Sequence, residues 1–411
     1  MSPSAIIPDV SHAIVFLLAA AFLEHYTRRS RLPLACWMLA AGAGYGLVNR
    51  YWLPGLPVAP LAPGLIFFVM VPLLIFESAA SLHPRTLFRE APTAGLFATA
   101  GMGMSTGIIG AGFALGLGFP WPDALLFASI VSATDPVAVN AVVGERPFPE
   151  RLRTLVEGES LLNDGAVVIA YGILRDWVFG GSLGAPVAVA AGFLWGVGGA
   201  ILLGAAVGFL GIRLLRRWRD ARSDFDGILV ILSAVYGAFW IGEHWLHVSG
   251  VIAVMAASLV LARSPGANRQ DSASAEEAGD DFFHRFFRFA GRMVNIVLFF
   301  LLGLHIGRHE FLPYVWTVPF AVGLALASRA AVVYGLGGLV ALTPHRFPLG
   351  WRHVLNLAGV RGALSIALIL MLPADYAHRE VFLCAGFVMI LLNMLGNPLA
   401  LGAYLDRASL E

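Results

Sequence analysis

The sequence is short of charge. Only 13% of its 411 residues are Asp, Glu, Lys or Arg, against roughly 25% in soluble domains. Hydrophobic residues make up 58%. A soluble globular protein is thereby excluded, and a mean hydropathy of +0.77 marks an integral membrane protein. Lysine is absent; all 27 basic residues are arginine. The apolar runs are continuous and do not alternate, which excludes a transmembrane β-barrel. The only cysteines, Cys36 and Cys384, fall in apolar runs and read as small buried hydrophobes. No His/Cys cluster offers a transition-metal site. The first residues carry no basic n-region, so no cleavable signal is expected. A net charge of +1 points to no particular partner, and nothing suggests nucleic acid.

What is there is apolar sequence in span-length blocks. A hydrocarbon core needs about 20 apolar residues per helix. The runs predict an all-α polytopic protein of thirteen spans, over 10–26, 32–49, 60–82, 93–118, 121–144, 150–175, 184–212, 225–243, 246–262, 286–307, 313–341, 350–372 and 379–404. Gly and Ala recur at short intervals within several of them, which suits close helix packing in lipid. Twenty arginines fall in the loops of one side and the tail; the opposite loops hold only Arg50, Arg175, Arg308 and Arg379. The positive-inside rule then places the N-terminus outside and the C-terminus in the cytoplasm, as an odd span number requires. The polar stretch at 264–284, rich in Ser, Ala, Gly and acids, reads as a flexible cytoplasmic loop. With seven residues after 404, no soluble C-terminal domain is expected.

Ionisable residues inside spans are costly and are functional candidates by default. Four acids qualify: Glu77, Asp135, Glu159 and Asp164. Two cations do: Arg329 and Arg361. The excess of negative charge suits cations or protons. In EGESLLNDGAVV, 157–168, Ser160 and Asp164 stack four residues apart. Glu159 and Asn163 lie on the adjoining stripe, so the polar groups form one wall. Glu157, about a turn nearer the cytoplasmic end, reads as a water-facing helix end. At Thr134-Asp135-Pro136, proline removes a donor and disfavours helix at the preceding residue, which predicts a broken helix of the kind transporters use to bind ions at the midplane. Gly359 and Gly362 around Arg361 suggest a second interrupted helix, in the other half of an inverted repeat. Most of the eleven histidines sit at span ends or in loops; His305, inside span 10, is the exception.

FESA at 76–79, SATDPVAV at 132–139, EGESLLNDGAVV at 157–168 and GVRGALSIAL at 359–368 together resemble the monovalent cation/proton antiporters, in the branch of NhaP-type exchangers and eukaryotic sodium/proton exchangers. FESA is a looser form of the family pattern. The resemblance implies an NhaA-like antiporter fold with two broken crossing helices. It implies core helices at about 93–175 and 286–404 and dimerisation helices at about 10–82 and 184–262. A homodimer would join through spans 1–3 and 7–10, so span 10 is claimed by both groups. It casts Asp164 as the carboxylate that binds cation and proton alternately. Ser160, the Thr134 carbonyl and Glu77 become further oxygen ligands for Na⁺. Asn163 would hold the unwound segment, Asp135 would compensate half-helix ends, and Glu159 would form a structural ion pair with Arg361. Arg329 is a secondary candidate. No cofactor is implied beyond the transported Na⁺ and H⁺.

Physical chemistry supports the same reading. Desolvation penalises the charged form of a carboxylate, so a cation or a proton each makes it tolerable and the two compete. With Asn rather than a second acid at 163, the resemblance implies electroneutral, one-for-one exchange, in a bacterial inner membrane, serving pH and sodium homeostasis. Li⁺ or K⁺ could replace Na⁺. A cation channel or a proton-coupled carrier of another solute is the alternative, and proton coupling separates them. An intramembrane aspartyl hydrolase is disfavoured by the lack of a GxGD-type motif.

Overall fold

The structure is a computed structural model. It describes residues 16–27, 32–53, 63–82, 84–136, 139, 142–144, 148–217, 224–262, 282–310 and 312–407. The 264–284 loop lies outside them up to residue 281. Among the described residues every regular element is helical. In chain order they are α1 (16–27), α2 (Leu34–Tyr51), α3 (Pro63–Ser81), α4 (Arg85–Leu117), α5 (Trp121–Ile130) and α6 (Glu150–Gly180). Then follow α7 (Pro186–Arg217), α8 (Phe225–Leu246), α9 (Gly250–Leu261), α10 (Arg285–Arg308) and α11 (Thr317–Val340). The last three are α12 (Leu349–Leu357), α13 (Ala363–Leu370) and α14 (Arg379–Leu405).

Seven described helices, α3, α4, α7, α8, α10, α11 and α14, are long and apolar enough to cross a membrane, and α9 is a shorter apolar helix. Seven of the thirteen expected spans are met by that measure; three of the others, spans 5, 6 and 12, fall short for two physical reasons. α6 carries Glu157, Glu159 and Asp164 along its apolar stretch. Two expected spans are broken into shorter pieces: α5, α12 and α13 have 10, 9 and 8 residues. At 1.5 Å per residue none of these can cross a core about 30 Å thick.

Small residues set the packing. On α2, Gly42 and Gly46 lie against the Phe300 and Leu304 carbonyls of α10. On α10, Gly303 and Gly307 lie against the Leu39 and Ala43 carbonyls of α2. A Cβ at any of the four would collide with backbone, so the two helices touch main chain to main chain. This contact places α10 beside α2, on the side of the first three helices. Gly204 of α7 meets the Ala253 carbonyl of α9 in the same way. Elsewhere large side chains fill the interior: Phe127 of α5 lies between Phe113 of α4 and Phe382 of α14, with ring centroids 4.6 and 4.7 Å away.

The two interruptions meet. α5 ends at Ile130 and residues 131–136 are not helical; α12 ends at Leu357 and 358–362 are not helical. The Asp135 amide donates to the Val360 carbonyl at 2.7 Å, joining one unwound segment to the other. Ser365 of α13 donates to the Ile130 carbonyl at 2.8 Å. Side chains and the opposite segment thus satisfy backbone groups that lipid cannot.

Candidate cation site

A cavity of about 110 Å³ lies between these unwound segments and α3. Thr134 and Asp135 face it from the first break, Gly362 from the second, and Asp164 from α6. Glu77, Ser78 and Ser81 of α3 and Asn295 of α10 form the opposite wall. Asp164 is half-buried, and among the described residues its carboxylate has no hydrogen-bond or ion-pair partner. Burying an unpaired carboxylate is strongly unfavourable, so this position calls for a proton or a cation.

The neighbours of Asp164 are held by their own bonds. Asn163 donates from Nδ2 to the Ser132 carbonyl at 2.9 Å and to Thr134 Oγ1 at 3.1 Å, which ties α6 to the first unwound segment. Thr134 Oγ1 in turn donates to Ser160 Oγ at 3.2 Å. Ser160 is 3% exposed and does not line the cavity; its hydroxyl stands behind the wall and braces Thr134. Asp135 packs its carboxylate where a Cβ on Gly362 would sit, and Gly362 directly precedes α13. A negative group there faces the positive end of a half-helix. Glu77 lies over Gly291 of α10, whose missing side chain leaves it room, with Glu77 Cγ 3.0 Å from the place a Cβ would take.

The structural ion pair differs from expectation. Glu159 is paired with Arg329, not Arg361. Arg329 Nη1 contacts Glu159 Oε1 and Nη2 donates to Oε2 at 3.0 Å, a two-point arrangement. The physical reason is access: Arg329 passes over Gly359, where a Cβ would strike its side chain. Its Nη2 also donates to the Leu355 carbonyl at 2.7 Å, in the last turn of α12. Arg361 points the other way and donates to the Ala133 carbonyl at 3.2 Å, past the end of α5. Each guanidinium thus faces the negative end of a half-helix, and among the described residues Arg329 is the ion-pair partner of Glu159. Arg361 and Glu159 still border one small polar cavity with Ser132 and Asn163.

Glu157 is 5% exposed, which corrects its reading as a water-facing helix end. α6 starts at Glu150, so Glu157 lies two turns inside, and Leu87 and Ala94 of α4 cover the adjacent Gly158. Glu90 was not singled out from the sequence. It is 1% exposed and pairs with Arg151 at 2.8 Å and Arg89 at 3.2 Å. Arg151 also donates to the His345 carbonyl at 2.9 Å and lies over the Trp351 ring. The closer partner of Glu90, Arg151, lies 61 positions on in sequence, so no local spacing marks Glu90. Asn295 was also missed, although a lone amide in the apolar run around it was a visible signal. His305 is outside the cavity; its Nδ1 is 3.0 Å from the Leu301 carbonyl of its own helix.

Interrupted helices that cross with their ends neutralised, beside a cavity lined by the unpaired carboxylate of Asp164, define a membrane ion transporter rather than an enzyme. The chain belongs to the sodium/hydrogen exchanger family: residues 13–407 match its transmembrane-domain model, "Sodium/hydrogen exchanger, transmembrane". It is 31% identical to the Na(+)/H(+) antiporter NhaS2 of Synechocystis sp. over 97% of this chain and 70% of that protein. It is 30% identical to the Na(+)/H(+) antiporter NhaP of Pseudomonas aeruginosa, over 82% and 79%. The solved structure of the sodium proton antiporter MjNhaP1 from Methanocaldococcus jannaschii at pH 8 has the same fold, with a TM-score of 0.75 at 17% identity, covering 97% of this chain and 99% of that one.

Proposed function

We propose that the protein exchanges Na⁺ for H⁺ across a bacterial inner membrane by alternating access, with one carboxylate, Asp164, carrying either ion. The observation that carries this is an unpaired Asp164 on a cavity wall built from two crossed helix breaks. Thr134, Asp135 and Glu77 supply oxygens around it, Asn163 anchors the break, and Ser160 acts through Thr134. Hard oxygen ligands suit Na⁺ and Li⁺, with K⁺ the alternative cargo. No cofactor enters. Because Asn163 is neutral, the Asn163–Asp164 pair offers a single carboxylate, so exchange is one-for-one and electroneutral, and it serves pH and sodium homeostasis.

The two-part organisation follows the packing. α4–α6 and α11–α14 surround the crossing, while α1–α3 and α7–α9 form the second group, with α10 attached to it through α2. Exposed apolar residues on α7, such as Leu194, Leu202 and Phe209, suit lipid or a second copy in a homodimer. The arginine distribution sets the N-terminus outside and the C-terminus in the cytoplasm.

Proteoliposomes carrying a trapped pH dye test the exchange. Addition of Na⁺ is expected to move protons in the opposite direction, at a rate that does not change when the membrane potential is clamped. The Na⁺ concentration for half-maximal rate rises as pH falls, because protons occupy the same carboxylate. If none of Na⁺, Li⁺ or K⁺ moves protons through the intact protein, the reading fails.

A further inference from the structure

Ser160, expected as a cation ligand, is engaged by Thr134 and does not face the cavity. A bare cation leaving water needs several oxygens, and that of Ser160 is not on the cavity wall. Asn295 lines the same cavity as Asp164. Its Oδ1 is buried without a hydrogen-bond partner, and among the described residues neither end of the amide is engaged. A buried unpaired acceptor is costly, and one that faces a site calls for an ion or water as its partner. Whichever way the amide is turned, it is free to present its oxygen. Its surroundings are built: Gly291, one turn earlier on α10, leaves room for Glu77, and the glycine contact with α2 backs the same helix.

We propose that Asn295 is a cation ligand that serves from one side only, a neutral oxygen on the α3–α10 wall. It reaches the ion while Asp164 faces this cavity. This rests on the exchange reading of the site. An amide oxygen ligates Na⁺ directly, whereas to a protonated Asp164 it offers no more than one neutral hydrogen bond. It therefore tilts the competition at the carboxylate toward the cation.

The test uses the full-length protein in proteoliposomes, with Na⁺ presented in turn from each side. Asn295→Leu is expected to raise half-saturating Na⁺ about 5- to 30-fold, the effect of losing one good polar contact, on the side to which the cavity leads. Half-saturation from the opposite side shifts much less. In detergent, the rise in Tm caused by Na⁺ shrinks in Asn295→Leu and is kept in Asn295→Ser, while Tm without Na⁺ does not fall. A merely structural asparagine would do the reverse. Should the leucine variant not fold, Asn295→Ala against Asn295→Ser makes the same comparison. Unaltered half-saturation and an unaltered Na⁺-dependent Tm rise overturn the proposal, and an equal shift from both sides overturns its one-sidedness. If the wild type moves no protons, exchange itself fails, and the Na⁺-dependent Tm rise still decides whether Asn295 binds the ion.

Discussion

Two acids five residues apart on α6 end in opposite conditions. Glu159 is 3% exposed and held at two points by Arg329. Asp164 is half-buried beside a cavity and has no partner among the described residues. The same helix neutralises one carboxylate within the protein and leaves the other to be neutralised from outside. An ion site here is thus defined less by where negative charge is placed than by where its counter-charge is withheld.

The largest effect that could break this contrast is at Asp164. Asp164→Asn is expected to abolish cation-driven proton movement while the protein stays monodisperse and keeps its unfolding temperature, because no native partner is lost. A folded Asp164→Asn variant that still exchanges would erase the distinction between the two acids. Next comes the pair. Arg329→Met leaves Glu159 buried and unpaired and should cost about 3–5 kcal/mol of stability, seen as a lower unfolding midpoint in detergent. Arg329→Met with Glu159→Met should recover most of it. Arg361→Met removes one charged hydrogen bond to a carbonyl and should cost less, about 1.5–3 kcal/mol. Equal losses at the two arginines would show that Arg361 shares Glu159 after all. The smallest effect is at the crossing: Ser365→Ala removes the bond to the Ile130 carbonyl, a loss of about 1–3 kcal/mol for an orphaned acceptor, and should lower the midpoint while leaving half-saturating Na⁺ in place.

Much of this was legible in the sequence. Asp135-Pro136 announced one break and Gly359–Gly362 the other, because proline and glycine act locally on the backbone. Asp164 and Asn163 stood out because charge and amide are rare in apolar helices. The pairing of Glu159 was not legible. Arg329 and Arg361 both lie far from it in sequence, and the choice depends on which guanidinium can cross a glycine. Glu157 was misread because its burial depends on a helix that begins seven residues earlier and on the chain that covers it. Glu90 and Asn295 escaped for opposite reasons: the first looked like an ordinary helix-start acid, and the second carries no charge.

The bonds across the crossing also constrain how the protein comes to exist. Residues 131–136 leave the ribosome long before their partners do: Ala133 waits for Arg361, 228 positions on, and Ile130 for Ser365, 235 positions on. Until then the carbonyls at the end of α5 have neither helix nor lipid to satisfy them. The first half of the chain must therefore enter the membrane unfinished, sheltered by water or the insertion machinery, and becomes a stable wall only when the second half closes over it.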